Sequence, residues 1–213
     1  MLKFPILIMH YERKLFKEGF NYIAGIDEAG RGAWAGPLFV GAVILPIKNL
    51  SEFGNIKDSK KLTAKTREIL EDNIKQNCVS WAVGKAESYE IDELGLQNAH
   101  LLAVERAFLT LKQYPDYVLV DRIAKVKFPI PFENIIKADD KFLCVGAASI
   151  IAKVGRDREM IRLAKEFPEF KFEDHKGYGT KLHQDLIDQY GLCKIHRRLF
   201  SPIRQLDKDL HLL

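Results

Sequence analysis

The chain has 213 residues, 47% hydrophobic and 29% charged, with 33 basic against 29 acidic side chains and a net charge of +4. That fits one large globular domain, or a domain with a modest extension, and excludes a low-complexity or repeat protein. Three cysteines, Cys78, Cys144 and Cys193, are odd in number and form no CxxC pair, which argues against a disulfide framework or thiolate zinc site and for a reduced, cytoplasmic setting.

The apolar run from Phe4 to Met9 is interrupted by Pro5; it is too short to span a membrane, and no small-residue cleavage site follows. Residues 10–20 read as a short amphipathic helix. Residues 22–28 and 37–46 are apolar, rich in β-branched side chains and bounded by Gly and Pro. They predict two strands of a hairpin joined by a glycine-rich turn. Thr63 is placed to cap a helix over 64–76, and 80–87 reads as a third strand. From 96 to 111, Leu101, Leu102, Val104, Ala107, Phe108 and Leu111 recur at helical spacing. Tyr117 to Val120 predicts a fourth strand ending in Asp121. Ile135 and Ile136 predict a fifth, leading to Asp139. A long helix over 145–167 opens on small residues, and another helix falls near 180–190. Strands alternating with long helices argue an α/β sheet with helices on its faces. Residues 1–167 would form that unit, and the more polar 168–213 a helical extension.

Asp27, Asp121 and Asp139 each follow an apolar strand-like run, and Glu28 stands beside the first. Ligand sites of open α/β sheets gather at strand ends. Crowded carboxylates repel, and a divalent cation turns that repulsion into coordination. Oxygen ligands without a Cys or His set suit Mg²⁺ or Mn²⁺ over Zn²⁺. Four carboxylates can hold two such ions, an arrangement suited to phosphodiester hydrolysis. Taken singly, an acid at a strand end is commonplace, and Asp140 fits a helix N-cap. Neighbours on a strand face opposite ways, so Asp27 and Glu28 share a site only where the strand ends or bulges.

Gly30 and Gly32 permit positive φ and close approach of a ligand to the backbone, and Arg31 between them is a planar donor suited to phosphate. A plain hairpin turn would need the glycines alone. Basic residues cluster at Lys57, Lys60 and Lys61, at Lys153, Arg156 and Arg158, and at Lys194, His196, Arg197 and Arg198. Together they could follow a nucleic-acid backbone. Tyr178, between Gly177 and Gly179, could stack on a sugar or base, or simply pack its loop.

The segments YERKLFKEGF, GIDEAGRGAWAGP, KDSKKL, LQNAHLLAVERA, DYVLVD, ADDKFLCVGAASIIAKVGRDR, HKGYGT and IHRRLFSPI run in order from about residue 11 to about 203. Through them the chain resembles the type 2 ribonucleases H (ribonuclease HII). The resemblance implies an RNase H-like fold, a mixed five-stranded sheet flanked by helices. It implies a monomeric endonuclease, dependent on Mn²⁺ or Mg²⁺, that cuts the RNA strand of RNA–DNA hybrids. It also implies incision 5′ of ribonucleotides embedded in duplex DNA, leaving 3′-hydroxyl and 5′-phosphate ends, in ribonucleotide removal and primer processing. The family's metal-binding acids fall on Asp27, Glu28, Asp121 and Asp139, its ribose-sensing turn on Gly30, Arg31 and Gly32, and its junction-sensing tyrosine on Tyr178. Lys60, Lys61 and Lys153 fall near substrate phosphates or the active site. Ala33 stands where the family usually has proline, Arg122 where glycine is common, and Asp140 beside Asp139 as a competing ligand. A different nuclease on this fold and a non-catalytic hybrid-binding module are the rivals; the glycine-arginine turn opposes the first and the four acids the second. The tail RQLDKDLHLL has the look of a sliding-clamp peptide, with Gln205 and Leu206 followed by Leu210, Leu212 and Leu213, although an ordinary amphipathic terminal turn accounts for it better.

Overall fold

The computed structural model describes residues 5–56, 62–201 and 203–205, residues 5–10 by backbone alone. In chain order the regular elements are α1 (Pro5–Lys17), β1 (Ile23–Ala29), β2 (Leu38–Ile44), α2 (Ala64–Asn77), β3 (Ser80–Ala86), α3 (Ser88–Leu94), α4 (Leu96–Leu109), β4 (Tyr117–Asp121), β5 (Phe132–Ile135), α5 (Leu143–Ala164), α6 (Phe172–His175) and α7 (Lys181–Tyr190). The five strands form one mixed sheet in the order β3-β2-β1-β4-β5. The hairpin expected at its centre is present: β1 and β2 pair antiparallel, with Asp27 opposite Gly41. β4 joins the other side of β1 in parallel, and β5 continues in parallel beyond it.

Strand alternation divides the core into two layers. On one face Ile23, Val43 and Leu119 pack against Cys144, Val145 and Ala148 of α5. Gly25 lets that helix come close: a Cβ there would lie 2.1 Å from the Cys144 carbonyl carbon. On the other face Ala24, Ile26, Val118 and Val120 pack against Ala99, Ala103 and Ala107 of α4. A third apolar cluster joins Ala35, after the hairpin turn, to Met160 and Leu163 of α5 and to Phe170, Phe172 and Ile187 of the chain beyond it.

Thr63 caps α2 as its sequence promises, its side chain accepting from the Thr66 amide. Two expectations fail. β5 ends at Ile135, so Asp139 is carried by the turn after the strand; Ile136 is exposed and Lys137 takes a left-handed φ of 56°. Asp140 does not cap the long helix. The N-cap position is Phe142, whose side chain makes no cap bond, and the Leu143 amide donates instead to Glu12 Oε1 of α1 at 2.7 Å. Among the described residues no helix is long and apolar enough to cross a membrane.

Candidate active site

Ile26 and Val120 are partners across the parallel β1–β4 pair. Asp27 and Asp121 stand one residue further along each strand and so project side by side, on the face covered by α5. Asp139 joins them from the turn after β5. One carboxylate oxygen of each of the three lies within 4.8 Å of the other two. Asp27 is buried, accepts the Glu28 amide at 2.8 Å and is hydrogen-bonded by Ser149 of α5. Burial first, then the charge of Glu28 and of Asp121, holds its carboxyl well above the usual carboxylate range, against the lowering effect of those hydrogen bonds. Asp121 is raised likewise by burial and by Asp139, although the Ala138 amide donates to it at 3.2 Å. An all-oxygen set of carboxylates, two of them destabilised as anions by burial and crowding, fits a hard divalent cation.

Glu28 is set apart from these three. As its place on β1 dictates, it faces α4, with Oε2 3.7 Å from Nε2 of His100. It nevertheless lines a cleft of about 380 Å³ with Gly30, Arg31, Gly32, Arg67, Lys153 and Tyr178, bordered by Ser149. Acids, glycine turn, lysine and tyrosine are therefore neighbours.

The turn between β1 and β2 is pinned from below by two arginines that the sequence groups with surface charges. Arg156 of α5 donates from Nε to the Pro37 carbonyl at 3.0 Å and from Nη2 to Ala35 at 3.2 Å. Arg197 donates from Nε to Gly36 at 2.9 Å and from Nη1 to Arg31 at 3.1 Å. Both guanidinium groups are inaccessible, so neither can follow a nucleic-acid backbone, and His196 is buried with them. Gly30, at φ 88°, leaves room for Arg156: a Cβ there would fall 1.8 Å from its Nε. Ala33 is fully buried, and Trp34 lies against Gly179, where a Cβ would sit 2.2 Å from the indole. Trp34 and Ala35 also donate to the Gly177 carbonyl, so the turn and the Tyr178 loop are one unit. The Tyr178 ring has the Lys153 ammonium 5.7 Å and the Arg156 guanidinium 5.1 Å from its centre. Lys153 is also bonded to Asp157 at 2.7 Å.

A family model described as ribonuclease HII matches residues 24–203. The chain belongs to the ribonuclease HII family. A ribonuclease HII from Endomicrobium trichonymphae is 44% identical over 200 residues, covering 93% of this chain and 94% of its own. The crystal structure of ribonuclease H2 from Pyrococcus horikoshii OT3 superposes with a TM-score of 0.77 at 30% identity, over 89% of this chain and 99% of that one. The structure of a PCNA:RNase HII complex from Archaeoglobus fulgidus superposes with a TM-score of 0.71 at 30% identity, over 84% and 95%. The fold is RNase H-like, and the chain is a ribonuclease H.

Of the residues expected in a ribonuclease HII site, Asp27, Asp121 and Asp139 converge, and Glu28, Gly30, Arg31, Gly32, Lys153 and Tyr178 line the adjoining cleft. Lys57, Lys60 and Lys61 lie outside the described residues, as does the tail from 206 onward. Sequence reasoning passed over Ser149, Arg67 and His100. Ser149 and Lys153 sit one turn apart on α5, a spacing that puts both on the helix face turned to the acids. His100 gave no signal, because a lone histidine on the apolar side of α4 reads as core.

Proposed function

We propose that this ribonuclease H hydrolyses the RNA strand of RNA–DNA hybrids and incises 5′ of ribonucleotides embedded in duplex DNA, leaving 3′-hydroxyl and 5′-phosphate ends. The observation that carries the reading is the meeting of three carboxylates, within 4.8 Å, with a cleft whose wall is the glycine-arginine turn and Tyr178. Asp27, Glu28, Asp121 and Asp139 would hold Mg²⁺ or Mn²⁺. A pair of such ions held there would supply activation for an attacking water and charge stabilisation for the leaving 3′-oxygen. The backbone of Gly30–Gly32, in a turn bonded by Arg156 and Arg197, would test for a ribose 2′-hydroxyl, the group that separates RNA from DNA. Tyr178 supplies a flat surface for the sugar or base beside it, and Lys153 and Arg31 supply charge for phosphates. Residues 168–213 complete this site through the Tyr178 loop. A cytoplasmic monomer serving ribonucleotide removal and primer processing fits that activity. The tail RQLDKDLHLL is proposed as a sliding-clamp peptide, a reading supported by the PCNA:RNase HII complex from Archaeoglobus fulgidus; removing 205–213 should abolish clamp binding and spare cleavage.

The test is a duplex carrying one ribonucleotide, incubated with Mg²⁺ or Mn²⁺, with both product ends mapped. The expected cut is 5′ of the ribonucleotide, and Tyr178→Ala should lose that cut more than it loses duplex affinity. Cleavage confined to long runs of ribonucleotides, or equal cleavage of all-DNA duplex, would refute the reading.

A further inference from the structure

His100 lies on α4 with 1% of its surface exposed, and neither ring nitrogen makes a hydrogen bond. Nearly all buried polar side chains in folded proteins have a hydrogen-bond partner, so a buried imidazole satisfied at neither nitrogen calls for a reason. Its neighbours supply one. Nε2 is 3.7 Å from Glu28 Oε2, about half an ångström beyond a good hydrogen bond. Arg31 is near enough that its charge adds to burial in keeping the ring neutral, and a neutral imidazole carries a single N–H. His100 does not line the cleft and Glu28 does, so the carboxylate stands between the buried ring and the cleft. Glu28 is also the acid that strand alternation turns away from Asp27, Asp121 and Asp139.

We propose that His100 is a positioning residue for Glu28. Its Nε2–H donates to one oxygen of the Glu28 carboxylate when divalent cations occupy the cleft, which leaves the other oxygen turned toward them. A hydrogen bond behind a ligating carboxylate fixes its orientation, and removing such a bond weakens metal affinity by about 10- to 100-fold. This solves the strand geometry: Asp27 reaches the ions directly from one face of β1, and Glu28 is brought round from the other by a partner on α4. The assignment rests on the metal-binding reading of the four acids.

The experiment is calorimetric titration of the full chain with Mn²⁺, without substrate, alongside thermal unfolding in EDTA. The variants are His100→Leu, His100→Met, His100→Gln, Glu28→Gln and the double variant His100→Leu/Glu28→Gln. The apolar variants should weaken the weaker Mn²⁺ step about 10-fold and leave the tighter one unchanged. The double variant should bind no worse than Glu28→Gln alone, and His100→Gln, which keeps an N–H donor, should recover part of the loss. The apolar variants should also melt higher than wild type in EDTA, because unsatisfied buried polar atoms are gone; a histidine kept only for packing would lose stability instead. Unchanged Mn²⁺ binding, additive losses in the double variant, or apolar variants that melt lower or fail to fold would each overturn the assignment. A wild-type chain that takes up no Mn²⁺ would overturn the metal reading itself, whereas a binding wild type beside unaltered variants overturns His100 alone.

Discussion

Asp27, Asp121 and Asp139 are held together against their own repulsion. Burial raises the first two above the ordinary carboxylate range, and their neighbours' charges raise them further. A raised acid binds a proton in the folded state that the unfolded chain has released. Without metal, therefore, these groups cost stability as pH rises from the ordinary carboxylate pKa through the raised one. Asp121→Asn deletes one charge and one ligand oxygen. The rate of cutting a single-ribonucleotide duplex should fall by about 10³-fold or more, since metal-centred charge stabilisation is worth several kcal/mol. In EDTA the same variant should melt a few degrees above wild type, with an advantage that widens from pH 5 to pH 8. Adding Mn²⁺ should raise the melting temperature of wild type and much less that of the variant. A variant that melts lower in EDTA, or cuts at the wild-type rate, would remove Asp121 from the acid cluster.

At the scale of elements, α5 carries Ser149, Lys153 and Arg156, so whatever fixes its N-terminus fixes the site. Its first amides are met by Glu12 of α1, which accepts from Leu143 and, at 3.4 Å, from Cys144. Burial pushes Glu12 up to about 7, although those amides favour its charged form. Folding then takes up a proton between about pH 4.5 and 7, and stability falls as pH rises through that window. Relative to Glu12→Gln, wild type should lose about 3 kcal/mol of unfolding free energy between pH 5 and pH 8. Urea titrations of both proteins check it; parallel pH profiles would contradict it. This cap could not be read from the sequence. The segment before α5 offers Asp140, a conventional capping residue, while the group that does the work comes from 131 positions away. Local signals were legible where the physics is local: the Thr63 cap, the β1–β2 hairpin, the apolar run that ends in Asp121. Asp139 was found with the wrong support, because Ile135 and Ile136 look like one strand until Lys137 turns the chain. Arg156 and Arg197 read as surface charge because a guanidinium that satisfies loop carbonyls has the same letter as one that meets water. His100 was invisible because its meaning depends on a strand that packs across it.

At the scale of the molecule, the third apolar cluster holds the C-terminal segments to α5 and to the hairpin turn, and three histidines run through it. The His175 Nδ1 accepts the Gly177 amide at 3.2 Å, so its Nε2–H donates to the Phe170 carbonyl at 2.9 Å. His183 donates from Nδ1 to the Tyr178 carbonyl at 3.0 Å, and its Nε2 accepts from the Nε2–H of His196 at 3.1 Å. The remaining nitrogen of His196 accepts the Cys193 amide at 2.9 Å. Every ring is used in its neutral form, and a proton added to either member of the His183–His196 pair would set two donors against each other. Burial foremost, then repulsion from His175, lowers His183 to about 4; burial, then repulsion from His183, lowers His196 to about 3. For a histidine lowered in this way the unfolded chain binds the proton, so the stabilisation is complete above about pH 6.5 and drains away as pH falls. Two such groups should cost wild type about 5 kcal/mol between pH 6.5 and pH 4.5 relative to a His183→Gln/His196→Gln variant. Because His183 holds the Tyr178 carbonyl and its ring centre lies 5.6 Å from that of Trp34, the loosening should begin at the loop that walls the cleft. Tryptophan fluorescence during acid titration should change before global unfolding in wild type and not in the variant. A signal that moves only with the global transition would mean that the three histidines are ordinary core, with no particular hold on the Tyr178 loop.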